Sequence, residues 1–165
     1  MTLSNIVLTI TTTTTALIAG LLYAYACSVN AGLNALSDMH YLAAMQSINK
    51  AIQNPWFFIS FMGTLVLLPL STYMHYTQPL TTQFWLLLAA TLVYAIGVIS
   101  VTALGNIPLN NMLDSVNLQA STPDVLEKIR AQFEKPWNMY HSVRTVASVV
   151  ALVLAILACI YQPKN

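Results

Sequence analysis

The sequence predicts an all-α integral membrane protein: a four-helix bundle that carries short amphipathic helices in its first and third loops. Three observations predict it. Hydrophobic residues make up 57% of the 165 residues and charged residues only 7%, against roughly 25% charged in an average soluble domain, which is too little charge to coat a water-soluble globule. Four stretches, 5–29, 56–74, 84–105 and 142–161, are apolar and long enough to cross a bilayer core as helices. The first three hold no acidic or basic side chain, and the fourth holds only Arg144. A disordered chain is excluded by the same composition, and a net charge of +1 offers no field for nucleic acid. Residues 1–165 read as a single transmembrane domain.

The first span lacks the basic leading segment of a secretory signal and is too long for one, so it reads as a retained helix. Its run Thr11 to Thr15 is poor helix material in water. In lipid each hydroxyl can bond back to its own helix, and small polar residues favour close helix contact.

In the first loop, Ser37 or Asp38 can cap a helix that runs to about Gln53 and stops at Asn54-Pro55. Leu42, Met45, Ile48 and Ile52 form its apolar stripe; Gln46, Asn49, Lys50 and Gln53 form the polar one. Such a helix lies at the membrane interface or over the mouth of the bundle.

The second and third spans are joined by the short turn 75–83, which makes them antiparallel neighbours. The third span ends at Gly105-Asn-Ile-Pro-Leu-Asn110, where Pro108 removes a backbone donor and breaks the helix. In the third loop, Ser121-Thr122-Pro123-Asp124 is a helix start. Leu126, Ile129 and Phe133 give that helix an apolar face, and Asp124–Lys128 and Arg130–Glu134 have ion-pair spacing. Pro136 then ends or kinks it before the fourth span.

Both long loops share one side of the bundle. Lys50, Lys128, Arg130, Lys135 and Arg144 fall there, against Lys164 alone on the other side. The positive-inside rule then places the long loops in the cytoplasm, the host being an inner or plasma membrane. Cys27 and Cys159 sit near opposite ends of their spans, too far apart for a bridge within one chain.

Polar chemistry concentrates in Lys135-Pro-Trp-Asn-Met-Tyr-His-Ser-Val-Arg144. In a helix, Trp137, His141 and Arg144 at i, i+4 and i+7 share one face. Each has a plain reading: an aromatic-belt anchor, an interfacial hydrogen-bonding histidine, and an arginine snorkelling to headgroups. Asn106 and Asn110, at the same depth, either satisfy a helix end or offer amides to a ligand. Asp38 and His40 lie near the mouth and suit capping, while Tyr23, Tyr25, Tyr94 and Met62 suit packing. Three histidines without a close pair give no metal signature, so the expectation is no metal and no cofactor. A joint His40–His141 metal site rests on shared sidedness alone.

The stretch Ala43-Ala-Met-Gln-Ser-Ile-Asn-Lys-Ala-Ile-Gln-Asn-Pro-Trp56, the motif Asn106-Ile-Pro-Leu-Asn110, and Trp137 with His141-Ser-Val-Arg144 resemble the anthrone-oxygenase-like family of small four-helix membrane proteins. The spacing of all four spans resembles it too. The resemblance implies oxidation of an anthrone to an anthraquinone with molecular oxygen and no known cofactor. On that implication His141 would be the base that removes the acidified methylene proton, and Arg144 would hold the oxyanion. Asn106 and Asn110 would hold the carbonyl and phenol oxygens, and Trp137 would stack on the flat substrate. The alternative is a non-catalytic accessory subunit, or a lipid- or small-molecule-binding protein of a larger complex. A small transporter or channel subunit is a third reading, with no inverted repeat to support it. Expected partners are a hydrophobic small molecule or lipid and the membrane. A homo-oligomer or a larger membrane complex is compatible with the small-residue faces. A cavity between Trp137, His141, Arg144 and Asn106 is the observation that favours an enzyme.

Overall fold

The computed structural model describes residues 2–161; Met1 and residues 162–165, Lys164 among them, lie outside the described residues. The elements are α1 (Leu3–Asn34), α2 (Asp38–Ala51), α3 (Pro55–Met74), α4 (Thr82–Asp114) and α5 (Pro123–Ile160). A single 3-10 turn, Leu118–Ala120, precedes α5. The protein is an all-helical membrane bundle: α1, α3, α4 and α5 are each long and apolar enough to cross a bilayer. In the bundle α1 packs on α3 and α5, and α4 packs on α3 and α5, so neighbours around the ring run α1, α3, α4, α5. The outer surface is apolar, with Leu17, Val66, Leu104 and Val146 all exposed, as a lipid-facing surface must be.

Local chemistry explains the spans. The threonine run is helical because every hydroxyl finds a carbonyl in its own helix. Thr11 Oγ1 donates to Val7 O at 2.7 Å, Thr12 to Leu8 O at 2.9 Å, Thr13 to Thr9 O at 2.8 Å and Thr15 to Thr11 O at 2.7 Å. Thr11 also meets Ser71 of α3 at 2.7 Å, a buried polar pair that joins two spans. Asn54 caps α3 by accepting from the Phe57 N–H at 3.1 Å, with Pro55 in the first turn, and Thr81 caps α4 in the same way at 3.2 Å. Cys27 and Cys159 are both free.

Pro108 behaves differently from the sequence expectation, and of the two outcomes expected at Pro136 the ending of the helix does not occur. Pro108 does not break the third span. A π turn over Thr102–Asn106, in which the Ile107 N–H bonds Thr102 O, precedes it, and the helix continues to Asp114. The wide turn absorbs the missing donor. Pro136 likewise lies inside α5, and the amphipathic helix of the third loop is the first part of the fourth spanning helix rather than a piece set off from it. Its apolar face is as expected, with Leu126 and Phe133 buried. Of the two expected ion pairs, Arg130 and Glu134 meet at 2.7 Å. Asp124 and Lys128 form none among the described residues, while Lys50 reaches Asp114 at 3.0 Å.

Amphipathic α2 lies across the ends of α4 and α5. Tyr41, Leu42 and Met45 are buried in the cluster that includes Phe133 and Trp137. Gln46, expected on the solvent side, instead donates to Leu113 O at 2.8 Å and Val116 O at 3.1 Å, satisfying carbonyls at the end of α4. Arg130 holds the other end: it donates to Leu36 O at 2.7 Å, pairs with Asp38 at 3.0 Å, and lies over the Tyr41 ring. α2 is therefore pinned at both ends over the bundle mouth.

α4 and α5 approach closely at two glycines. A Cβ on Gly97 would stand 2.5 Å from Ala147 Cβ, and one on Gly105 would stand 2.7 Å from the Tyr140 ring. Gly97→Ala is expected to destabilise the folded bundle by about 1–3 kcal/mol, because two Cβ atoms on rigid helices cannot give way. Ala147→Gly in the same chain restores most of the loss. Thermal unfolding of both variants in detergent checks this, and a double variant no better than Gly97→Ala alone would place the strain elsewhere.

Candidate functional site

Beneath α2 a partly open cavity of about 630 Å³ is lined by α1, α3, α4 and α5. Its size suits a small-molecule ligand. The apolar walls come from Leu21, Leu22, Phe57, Phe58 and Phe61, and the roof from Ile48 and Asn49 of α2 and from Ile52 and the residues after it. All five residues singled out in the sequence, Asn106, Asn110, Trp137, His141 and Arg144, line this one cavity.

α5 supplies the working face. Phe133, Trp137 and His141 stand at successive i+4 positions, with the indole stacked offset on the imidazole at 5.1 Å and on the Phe133 ring at 6.2 Å. Tyr25 tilts against both Trp137 and His141, at 5.4 and 5.1 Å. The indole therefore has ring partners within the bundle and also forms part of the cavity wall. Its Nε1–H donates to Asn110 Oδ1 at 2.8 Å, and Asn106 Nδ2 donates to Trp137 O at 3.3 Å. The two asparagines of α4 thus orient α5 as well as lining the cavity.

Arg144 is 8% exposed and His141 1%. Arg144 Nη1 donates to Thr102 Oγ1 at 3.2 Å, and Nη2 lies 3.2 Å from His141 Nδ1. A guanidinium only donates, so Nδ1 must accept and the imidazole proton sits on Nε2, which faces Thr145 Oγ1 at 3.5 Å. Arg144 Nε and Asn106 Oδ1 have no hydrogen-bond partner, although both are buried. None of the five acidic side chains lines the cavity. Asp38 and Glu134 are paired with Arg130, and Asp114 with Lys50. Arg144 is therefore a permanent charge inside a membrane bundle without a counter-ion, an arrangement that is costly unless something else supplies the negative end.

The π turns aim part of this site. Tyr25 opens the π turn Tyr25–Val29 of α1, and Thr102 and Asn106 open and close the second of the two π turns of α4, which follows Ala95–Ser100. Each widened turn shifts the helical register, which brings these side chains to the cavity. The profile of the family described as anthrone oxygenase matches residues 56–154. The chain belongs to that family. The matched stretch contains α3 apart from Pro55, all of α4 and most of α5, and with them all five singled-out residues of this anthrone oxygenase-family cavity; Tyr25 and the α2 roof lie before it. None of the curated proteins and no solved structure matches the chain.

Sequence reasoning missed three contributors. Tyr25 reads as packing, Thr102 carries no signal of its own, and Asn49 falls on the polar stripe of α2 yet lines the cavity. His40 is exposed and bonds Ser37 at 3.0 Å, and it does not reach the cavity. Among the described residues no three His, Cys, Asp or Glu side chains come together as a metal site would require.

Proposed function

We propose that the protein is a membrane-embedded oxidoreductase of the anthrone oxygenase type, oxidising the methylene of a hydrophobic aromatic ketone with molecular oxygen. The observation that carries this reading is Arg144: a buried guanidinium with no carboxylate, at the wall of an apolar cavity of substrate size. It is complementary to a neutral ketone that becomes an oxyanion during reaction.

His141 is the base, and Arg144 governs it. At rest the guanidinium covers His141 Nδ1. A substrate carbonyl draws Arg144 to itself, which frees Nδ1 to take the methylene proton as charge develops on the oxygen. The resulting enolate carbon donates electrons to O2 and forms a C–O bond. His141 returns its proton to the peroxide, the second C–H proton leaves, and O–O cleavage releases water and the new carbonyl. One oxygen atom enters the product and the other leaves as water. The enolate itself reduces oxygen, so the scheme needs no resident cofactor. Asn106 and Asn110 hold substrate oxygens, and Trp137 forms the wall against which the flat ring lies. The lysine and arginine excess at the α2 end supports a cytoplasmic site mouth in an inner or plasma membrane.

The test is the full chain in lipid nanodiscs given 1,8-dihydroxyanthrone under 18O2. The expected result is quinone carrying one 18O, formed well above the spontaneous rate and lost in Arg144→Met. Phospholipid in the cavity by native mass spectrometry, with no rate enhancement, would favour the lipid-binding reading instead.

A further inference from the structure

The roof of the cavity holds a polar group that the mechanism does not use. Asn49 sits on α2 between Leu42–Met45, which are buried, and Asn54, which caps α3. Gln46, one turn earlier, fixes that stretch to the end of α4, and Lys50 reaches Asp114 beside it. Asn49, itself half-buried, is thus presented to the cavity from a pinned helix. Its Nδ2 is buried and has no hydrogen-bond partner. On α4, Asn106 is 1% exposed and its Oδ1 is equally without a partner, while its Nδ2 donates to Trp137 O.

Both side chains line the same cavity from different helices. One offers a donor and the other an acceptor. A buried amide left unpaired costs free energy that an occupant can recover. A hydroxyl is the simple group that suits both kinds of atom, since it accepts from an amide N–H and donates to an amide oxygen. An ether or a carbonyl would satisfy Asn49 alone, and an apolar edge would satisfy neither.

We propose that Asn49 and Asn106 form a hydroxyl-reading subsite, and that Asn49 makes the α2 roof a specificity-determining element of the cavity. This rests on the cavity's being a binding site for a flat aromatic molecule, but not on the chemistry proposed for it. A site built around hydrogen bonds to a hydroxyl discriminates strongly against the analogue that lacks it, because its own polar groups are then stranded.

The experiment is equilibrium binding to the full chain in nanodiscs, read by quenching of tryptophan fluorescence, with anthraquinone and its 1-hydroxy and 2-hydroxy derivatives as probes. At least one hydroxylated probe is expected to bind roughly tenfold more tightly than anthraquinone itself. Asn49→Leu, similar in size, should bring that ratio to within about twofold of unity. Asn49→Ser, a smaller polar variant, should retain part of the preference and guards against a folding defect. A hydroxyl preference that survives Asn49→Leu overturns the role of Asn49, and the absence of any preference in the unaltered protein overturns the subsite. Failure of all three probes to bind overturns the cavity reading beneath it. Binding with the expected preference but no oxidation of 1,8-dihydroxyanthrone leaves this inference standing and removes only the proposed reaction.

Discussion

His141→Gln is expected to leave the bundle folded and to lower anthrone turnover by about 10²–10⁴-fold, the range a positioned general base contributes. Glutamine is chosen because its side-chain carbonyl can accept from Arg144 Nη2, as His141 Nδ1 does at 3.2 Å. The guanidinium then keeps its place between Thr102 and residue 141, and the basic nitrogen is what disappears. Binding of anthraquinone, which needs no proton transfer, should change by less than about threefold, since the variant keeps the hydrogen bond to Arg144. Turnover of 1,8-dihydroxyanthrone and anthraquinone affinity, measured on the same preparation, separate the two effects. Undiminished turnover would remove His141 as the base. A parallel loss of affinity and turnover would make it a packing residue of the α5 aromatic ladder.

The working face of α5 was legible because helical periodicity is a local property. Trp137, His141 and Arg144 at i, i+4 and i+7 must share a face once the segment is helical, and the structure places all three in one cavity. Asn106 and Asn110 were legible as polar groups at the same depth, but their partner was not. Trp137 Nε1 and Trp137 O lie in another helix, and a pairing of that kind depends on how α4 and α5 pack. The π turns left no mark in the sequence. They set the register of Tyr25 and Thr102, so the side of the helix on which those residues emerge does not follow from a 3.6-residue period. Asn49 belongs to the polar stripe of α2, and beneath a roof helix such a stripe lines a chamber as well as facing solvent. The prolines show the same limit from the other direction: Pro108 and Pro136 are helix breakers by local rule, yet α4 and α5 run through them. Tertiary packing and a widened turn offset the lost hydrogen bonds.

Arg144→Met should separate stability from function, and in opposite directions. The guanidinium is buried and has no carboxylate partner. Replacing an uncompensated buried charge by an apolar side chain of similar length removes a desolvation cost with no ion pair to lose, so the change is expected to be neutral or stabilising, on the order of 0–4 kcal/mol by analogy with replaced buried ion pairs. Part of that gain is offset by His141 Nδ1 and Thr102 Oγ1, which lose their donor. Turnover, by contrast, should fall by about 10²–10³-fold, because the developing oxyanion loses its principal donor. Arg144→Lys adds a discriminating case. It keeps the charge but cannot span Thr102 and His141 together, so it should recover only a small part of the activity. Thermal unfolding in detergent and 1,8-dihydroxyanthrone turnover in nanodiscs give the two readouts. A structural arginine would lose stability and activity together on becoming methionine, whereas an arginine kept for an oxyanion leaves a protein at least as stable and nearly inactive.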